Sequence, residues 1–190
     1  MRLGGALAGS TVAVLAAVGL PAVAHAAPVV PAKAVLAAHE FPAGSTAYRT
    51  STQTVSRPSA PADPSQCAKI AFDQDLGLAG MRQTQAVVRR GGGFLAAGVA
   101  DRPTTKETTD YWRVCLAEDG VRMTTLPTPN DLAHLRPMLI GVGGTMYQGA
   151  VDVRGVTVLA GTTNRDGGPA DLDGFWQVLR AQIAKVERQP

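Results

Sequence analysis

Two histidines stand beside carboxylates, and that pairing is the first chemistry this sequence offers. His134 follows Asn130-Asp131, and His39 precedes Glu40. An aspartate close to an imidazole can orient it for proton transfer, which would suit a hydrolase using His134 with Asp131 or His39 with Glu40. The plainer reading of His134 is a surface histidine on a helix. Cys67 or Cys115 could act as a nucleophile with His39 or His134 as its base. Neither cysteine has the flanks of a cysteine-enzyme family, however, and two cysteines in one small domain are most simply one disulfide. Without neighbouring histidines they also fall short of the four ligands of a closed zinc site.

The acidic candidates are weaker. Asp73 and Asp75 lie two residues apart on a short segment and do not face each other across a substrate, as glycosidase carboxylates must. Asp166, Asp171, Asp173 and Gly174 outline part of a calcium loop, but the distant bidentate glutamate is missing. A helix N-terminus, which favours negative charge, explains Asp171 and Asp173 without a ligand. No Gly-x-Ser-x-Gly, His-Glu-x-x-His, Cys-x-x-Cys or dinucleotide-binding glycine pattern occurs; Gly141-Val142-Gly143-Gly144 lacks the third spacing. The expectation is a chain with no cofactor, no metal and no assigned catalytic residue.

Arginine is the remaining chemical signal. Fourteen arginines stand against four lysines, and Arg82, Arg89, Arg90 and Arg102 cluster around one apolar stretch. Guanidinium forks recognise carboxylate and phosphate groups, so these four with His134 are the expected ligand-binding set. Their partner would be an anionic lipid, a glycan or an envelope protein. Arg89-Arg90-Gly91-Gly92-Gly93 lacks the strand-Gly-x-x-x-x-Gly-Lys context of a phosphate loop. A net charge of +3 gives no basic footprint for nucleic acid.

Those residues need elements to hold them. A β-prone run covers Tyr48 to Thr54, and Pro58 to Ala62 is rich in turn residues. Asp63 or Ser65 can cap a short helix, with Pro64 at its first position, that carries Cys67 and Ile70 inward and runs to Leu76 and Leu78. Thr84–Val88 and Phe94–Val99, joined by the glycine run, read as a hairpin. Thr108–Leu116 fits a helix through Tyr111, Val114 and Cys115, and equally a strand through Trp112, Val114 and Leu116. Asp119-Gly120 turns into a strand candidate at 121–126. Residues 132–140 suggest a short helix interrupted by Pro137, and two strands follow around Arg154-Gly155. Behind Asp171, the spacing of Leu172, Phe175, Trp176, Leu179, Ile183 and Val186 predicts an amphipathic helix. Strands in succession without regular helix alternation predict an α+β fold, a mainly antiparallel sheet with helices packed on one face.

The N-terminus supplies an address. Arg2, an uncharged run from Leu3 to Leu20, Pro21 and the small residues of Ala24-His25-Ala26 read as a signal peptide over residues 1–26, cleaved before Ala27. Five Gly and Ser residues in the run weaken a permanent span, and Ala27 stands where a lipoprotein would need cysteine. The product is expected to be secreted or in the cell envelope, with no permanent membrane anchor and one fewer positive charge. Residues 27–40, rich in Ala, Val and Pro, read as a flexible linker before a single domain at 41–190. Of 190 residues, 45% are hydrophobic and mean hydropathy is +0.05, so the chain is not wholly disordered. At its length it can bury roughly 70% of its unfolded surface.

Phe41-Pro42-Ala43-Gly44, Asp63-Pro64-Ser65-Gln66-Cys67-Ala68 leading a helix, a second cysteine some fifty residues on and a closing strand pair with helix occur together over most of residues 41–187. In these features the chain resembles small exported actinobacterial domains related to the extracellular sensor domain of mycobacterial serine/threonine kinases. The resemblance implies an α+β sheet with a cleft and a ligand-sensing or envelope role; sensor domains of that kind often carry two disulfides, and this chain has cysteines for one. The resulting expectation is a non-enzymatic ligand-binding domain, with a hydrolase using His134 or a pure protein-interaction domain as the other readings. Leu179→Asp places a charge on the apolar stripe of the last helix and should abolish secretion of folded protein; a normal thermal transition in that variant would rule out the packing.

Overall fold

The computed structural model describes residues 27–62 and 65–190. The expected signal peptide, residues 1–26, lies outside the described residues, as do Asp63 and Pro64. Among the described residues, seven strands form one sheet: β1 (Thr46–Thr54), β2 (Arg82–Arg90), β3 (Gly93–Ala100), β4 (Met123–Thr125), β5 (Met138–Val142), β6 (Met146–Val153) and β7 (Val156–Asn164). Their order is β1-β2-β3-β7-β6-β5-β4 and every neighbouring pair is antiparallel. Four helices accompany them: α1 (Pro31–Ala34), α2 (Gln66–Leu78), α3 (Thr105–Glu118) and α4 (Leu172–Glu187). The α+β class and the antiparallel sheet agree with the sequence reading.

Strand alternation decides what each face buries. Ala86 and Val88 of β2, Leu95, Ala97 and Val99 of β3, and Val158 and Ala160 of β7 point to one face, where they meet Phe175, Val178, Leu179 and Ile183 of α4 in one core. The apolar spacing of α4 therefore lands on the sheet as expected. Its start is fixed by Asp171, whose Oδ1 accepts the Gly174 N–H at 2.9 Å. Its end is fixed by Arg154, which donates to the carbonyls of Val186 and Glu187 at 3.3 and 3.2 Å. A guanidinium there satisfies carbonyls that the helix leaves unpaired and opposes the negative end of its dipole. Arg154 can reach them because it occupies the β6–β7 turn, where it and Gly155 have φ of 51° and 77°, both left-handed as a two-residue hairpin demands.

Three expectations need correction. The helices do not share one face: α3 packs Trp112 and Leu116 on Met138, Ile140 and Ala150, the opposite side of the sheet from α4. Residues 132–140 hold no α-helix. A 3-10 turn at Ala133–Leu135 ends on Arg136 in the left-handed region (φ 51°), and β5 begins directly after Pro137. Proline removes the donor that a continuing helix needs, and the run Met138-Leu139-Ile140 is buried on both faces as an inner strand requires.

The third concerns residues 27–40, which are docked instead of loose. Val29, Ala34, Val35 and Leu36 belong to the main core. Gln182 of α4, completely buried, holds them: its Oε1 accepts the Leu36 N–H at 3.0 Å and its Nε2 donates to the Ala34 carbonyl at 2.7 Å. The Tyr48 hydroxyl adds a bond to the Leu36 carbonyl at 3.1 Å. A side-chain amide thus serves an extended segment as a neighbouring strand would. Gln182→Leu keeps the volume but strands a buried N–H and a buried C=O, and should lower stability by about 2–4 kcal/mol in chemical denaturation. Unchanged stability with a protected Leu36 amide would show that the tether is dispensable.

Candidate functional site

On the face away from α4, the strands present short rows of side chains. One row runs Arg89, Phe94, Thr163; the next Val87, Ala96, Gly161, Gln148; the next Gln85, Gly98, Leu159, Ala150, Met138. The middle positions, Ala96, Gly98 and Gly161, are too small to meet a helix laid over them. A Cβ added at Gly161 would sit 3.0 Å from Gln148 Oε1, so the absence of a side chain lets the Gln148 amide lie across the strand.

The roof is the pair α2 and α3. Disulfide Cys67–Cys115 ties the first turn of α2 to the last turn of α3, as the cysteine arithmetic anticipated. The helix starts at Ser65, one of the two expected caps, with its Oγ accepting the Ala68 N–H at 3.1 Å. The α3 start is held from the sheet. Asp152 Oδ1 accepts the Thr105 hydroxyl at 2.8 Å and the Thr104 and Thr105 N–H groups at 3.2 and 3.3 Å. Thr157 Oγ1 donates to the same carboxylate at 2.6 Å and takes the buried Thr104 N–H at 2.6 Å. This carboxylate at a helix N-terminus settles the helix-or-strand ambiguity of residues 108–116 in favour of helix.

Between roof and sheet lies a cleft of about 710 Å³, within the range of about 300–1,000 Å³ in which small-molecule sites fall. Leu78, Met81 and Val55 close one end, and Phe94, Thr163 and Arg165 form the other. Tyr111 and Trp112 project from α3 as a wall. Gln74, Gln83, Gln85 and Gln148 line the cleft, half-buried, and none of their side-chain amides is hydrogen-bonded to another described residue. Each therefore offers a donor and an acceptor to whatever enters. Asp75 is the lining's only acid and Arg165 its only base.

The arginines and histidine expected to bind a ligand do not converge here. None of Arg82, Arg89, Arg90, Arg102 and His134 lines the cleft. Arg89 stands beside the rim, its guanidinium 5.5 Å from the centroid of the Phe94 ring. Arg82 is exposed at the start of β2, opposite Thr54. Arg90 pairs with Asp171 and donates to the Ala43 carbonyl at 3.1 Å. Arg102 lies 3.5 Å from Asp101. His134 is exposed on the 3-10 turn.

The proposed acid–base pairs are engaged elsewhere as well. Both oxygens of Asp131 accept from Arg180, at 2.6 and 3.1 Å, a fork that holds the carboxyl below its ordinary pKa despite some desolvation. Glu40 accepts the Ala37 N–H at 2.7 Å and pairs with Lys185. Burial pushes its carboxyl up, but these donors outweigh it and the net shift is downward. Asp166 sits in a loop turn, its N–H bonded to Asn164 Oδ1 at 2.9 Å, and Asp173 lies in the first turn of α4. No group of three His, Cys, Asp or Glu among the described residues could hold a metal ion.

Sequence reasoning missed Gln83, Gln85 and Gln148, although Gln83 and Gln85 carried a signal. Gln83-Thr84-Gln85-Ala86 alternates a polar amide with a buried position, the period of a strand with two lined faces. Neither a scan of protein-family models nor searches of curated proteins and of solved structures finds a match to this chain.

The Asp152 contacts set the position of the roof. Asp152→Ala should cost about 1–2 kcal/mol in chemical denaturation, the usual value of a helix cap, and Asp152→Asn should recover part of it. A variant with wild-type stability would show that α3 is seated by its Trp112 packing alone.

Proposed function

We propose that this chain is a non-enzymatic, exported ligand-binding domain, sensor-like in the manner of the kinase sensor domains it resembles. The observation that carries this reading is the cleft of about 710 Å³, with aromatic and aliphatic walls and four unpartnered amides. An apolar-walled cleft of this size with a few convergent polar groups is the usual form of a small-molecule site. The ligand would be small, with apolar area for Leu78, Met81, Phe94 and Leu159 and polar groups for the glutamines.

Export agrees with a Cys67–Cys115 disulfide, a bond that persists in oxidising compartments. No helix among the described residues is long and apolar enough to cross a membrane. The cleft faces away from the α4 core, so occupancy needs no opening of the main hydrophobic cluster.

The test fills the cleft from within. Ala96→Phe places a ring over the middle of the floor without touching the α4 face. Native mass spectrometry after incubation with an envelope extract should show a small molecule retained by the wild type and weakened at least about tenfold in the variant, a change of about 1.4 kcal/mol. Equal retention by both folded proteins would move the ligand elsewhere, and no retained species at all would remove the proposal.

A further inference from the structure

The ends of the cleft differ in charge. At one end the guanidinium groups of Arg89 and Arg165 both lie over the Phe94 ring, 5.5 and 5.6 Å from its centroid. Both side chains are exposed, and neither forms an ion pair with another described residue. Arg49 stands on the same sheet face, in the row beside Val87. The neighbouring acid, Asp166, has its Oδ2 against Gly92 in the hairpin and is not paired with either guanidinium. Elsewhere Arg90, Arg102, Arg113 and Arg180 each have an aspartate. Two like charges sharing one ring create a positive end that an anion would relieve.

At the other end, Asp75 lies on α2 one turn before Leu78. Between the ends the floor carries amides, and this decides among ligand classes. An alkyl chain laid over Gln85 and Gln148 would desolvate them without replacing their hydrogen bonds, at a real cost. A peptide backbone would satisfy both the donor and the acceptor of each amide. The floor spans the rows from Phe94 to Ala100, six residue steps of strand and about 20 Å at ~3.3 Å per residue, which is the length of about six extended residues.

We infer that the cleft takes a short extended peptide with its C-terminal carboxylate on Arg165 and Arg89 and its N-terminal end toward Asp75. This rests on the ligand-binding reading above and narrows it. The carboxylate fits the planar fork of an arginine, and the ring of Phe94 holds both forks in place. Gln83, Gln85 and Gln148 meet main-chain groups, so the sequence of the peptide would be read mainly by its apolar side chains against Met81, Leu159 and Trp112.

A mixed-sequence hexapeptide pool with free C-termini, the same pool amidated, palmitate and maltohexaose are the probes, each offered to the folded full domain and scored by affinity selection with mass spectrometry. The free-acid pool should yield retained peptides, and amidation should weaken retention at least about tenfold. Arg165→Gln together with Arg89→Gln, verified to melt like the wild type, should bring the free-acid peptides down to the level of the amidated ones. Equal retention of free and amidated pools by the wild type, or a preference surviving in the double variant, overturns the assignment of the arginine end. Retention of palmitate or maltohexaose without peptides overturns the peptide while leaving a ligand-binding cleft intact. Retention of none of the four probes overturns both.

Discussion

A seven-stranded sheet exposes two broad faces to be covered, and this chain has one long amphipathic helix. The strands resolve the shortage by dividing their side chains unequally. Toward α4 they present Val88, Leu95, Val99, Val151 and Val158, all essentially fully buried. Toward the other side the centre is Ala96, Gly98 and Gly161, so a helix there has little to interlock with. The shorter pair α2 and α3 therefore rests at the margin, where Trp112 finds Met138 and Ile140, and the centre is left open. The cleft follows from side-chain size before any question of ligand arises.

Because the roof interlocks so little with the centre of the floor, it is held by other means. The disulfide joins the two helices, and the Thr104–Thr157–Asp152 network fastens one of them to β6 and β7. Both devices are directional and local, unlike the diffuse packing under α4. A disulfide that closes a 48-residue separation also restricts the unfolded chain, by about 4 kcal/mol in the loop-entropy treatment. The β2–β3 hairpin lies inside that loop, so the covalent bond encloses half of the cleft floor.

Features encoded within a few residues were legible in the sequence. The stripe of α4 with Asp171 at its head, the glycine-joined hairpin and the cysteine pair all read correctly, because each depends on spacing alone. Residues 108–116 are ambiguous in the sequence because the carboxylate that starts the helix is 47 residues from Thr105. Within 132–140, the residues Met138-Leu139-Ile140 read as helix because a short apolar run has the same composition in a buried strand. The docking of residues 29–36 was hidden because its agent is one glutamine, 146 residues from Leu36, in a helix position where an amide ordinarily faces water. The arginine cluster is dispersed for a different reason. Adjacent residues on β2 point to opposite faces, so Arg89 and Arg90 lie in separate environments, and Arg90 and Arg102 each lie beside an aspartate.

The outer strand β1 carries a further consequence. Apart from Tyr48 it is exposed along its whole length, and its outward edge is the end of the sheet. That open edge, nine residues long, is a template on which another molecule could add a strand. The strand answers with Thr, Ser, Gln and Arg in place of large aliphatics, and with a register break at Ala47, whose φ of 52° twists its beginning. An added strand would gain main-chain bonds but almost no apolar burial. The long open edge is thus guarded by its composition instead of by cover.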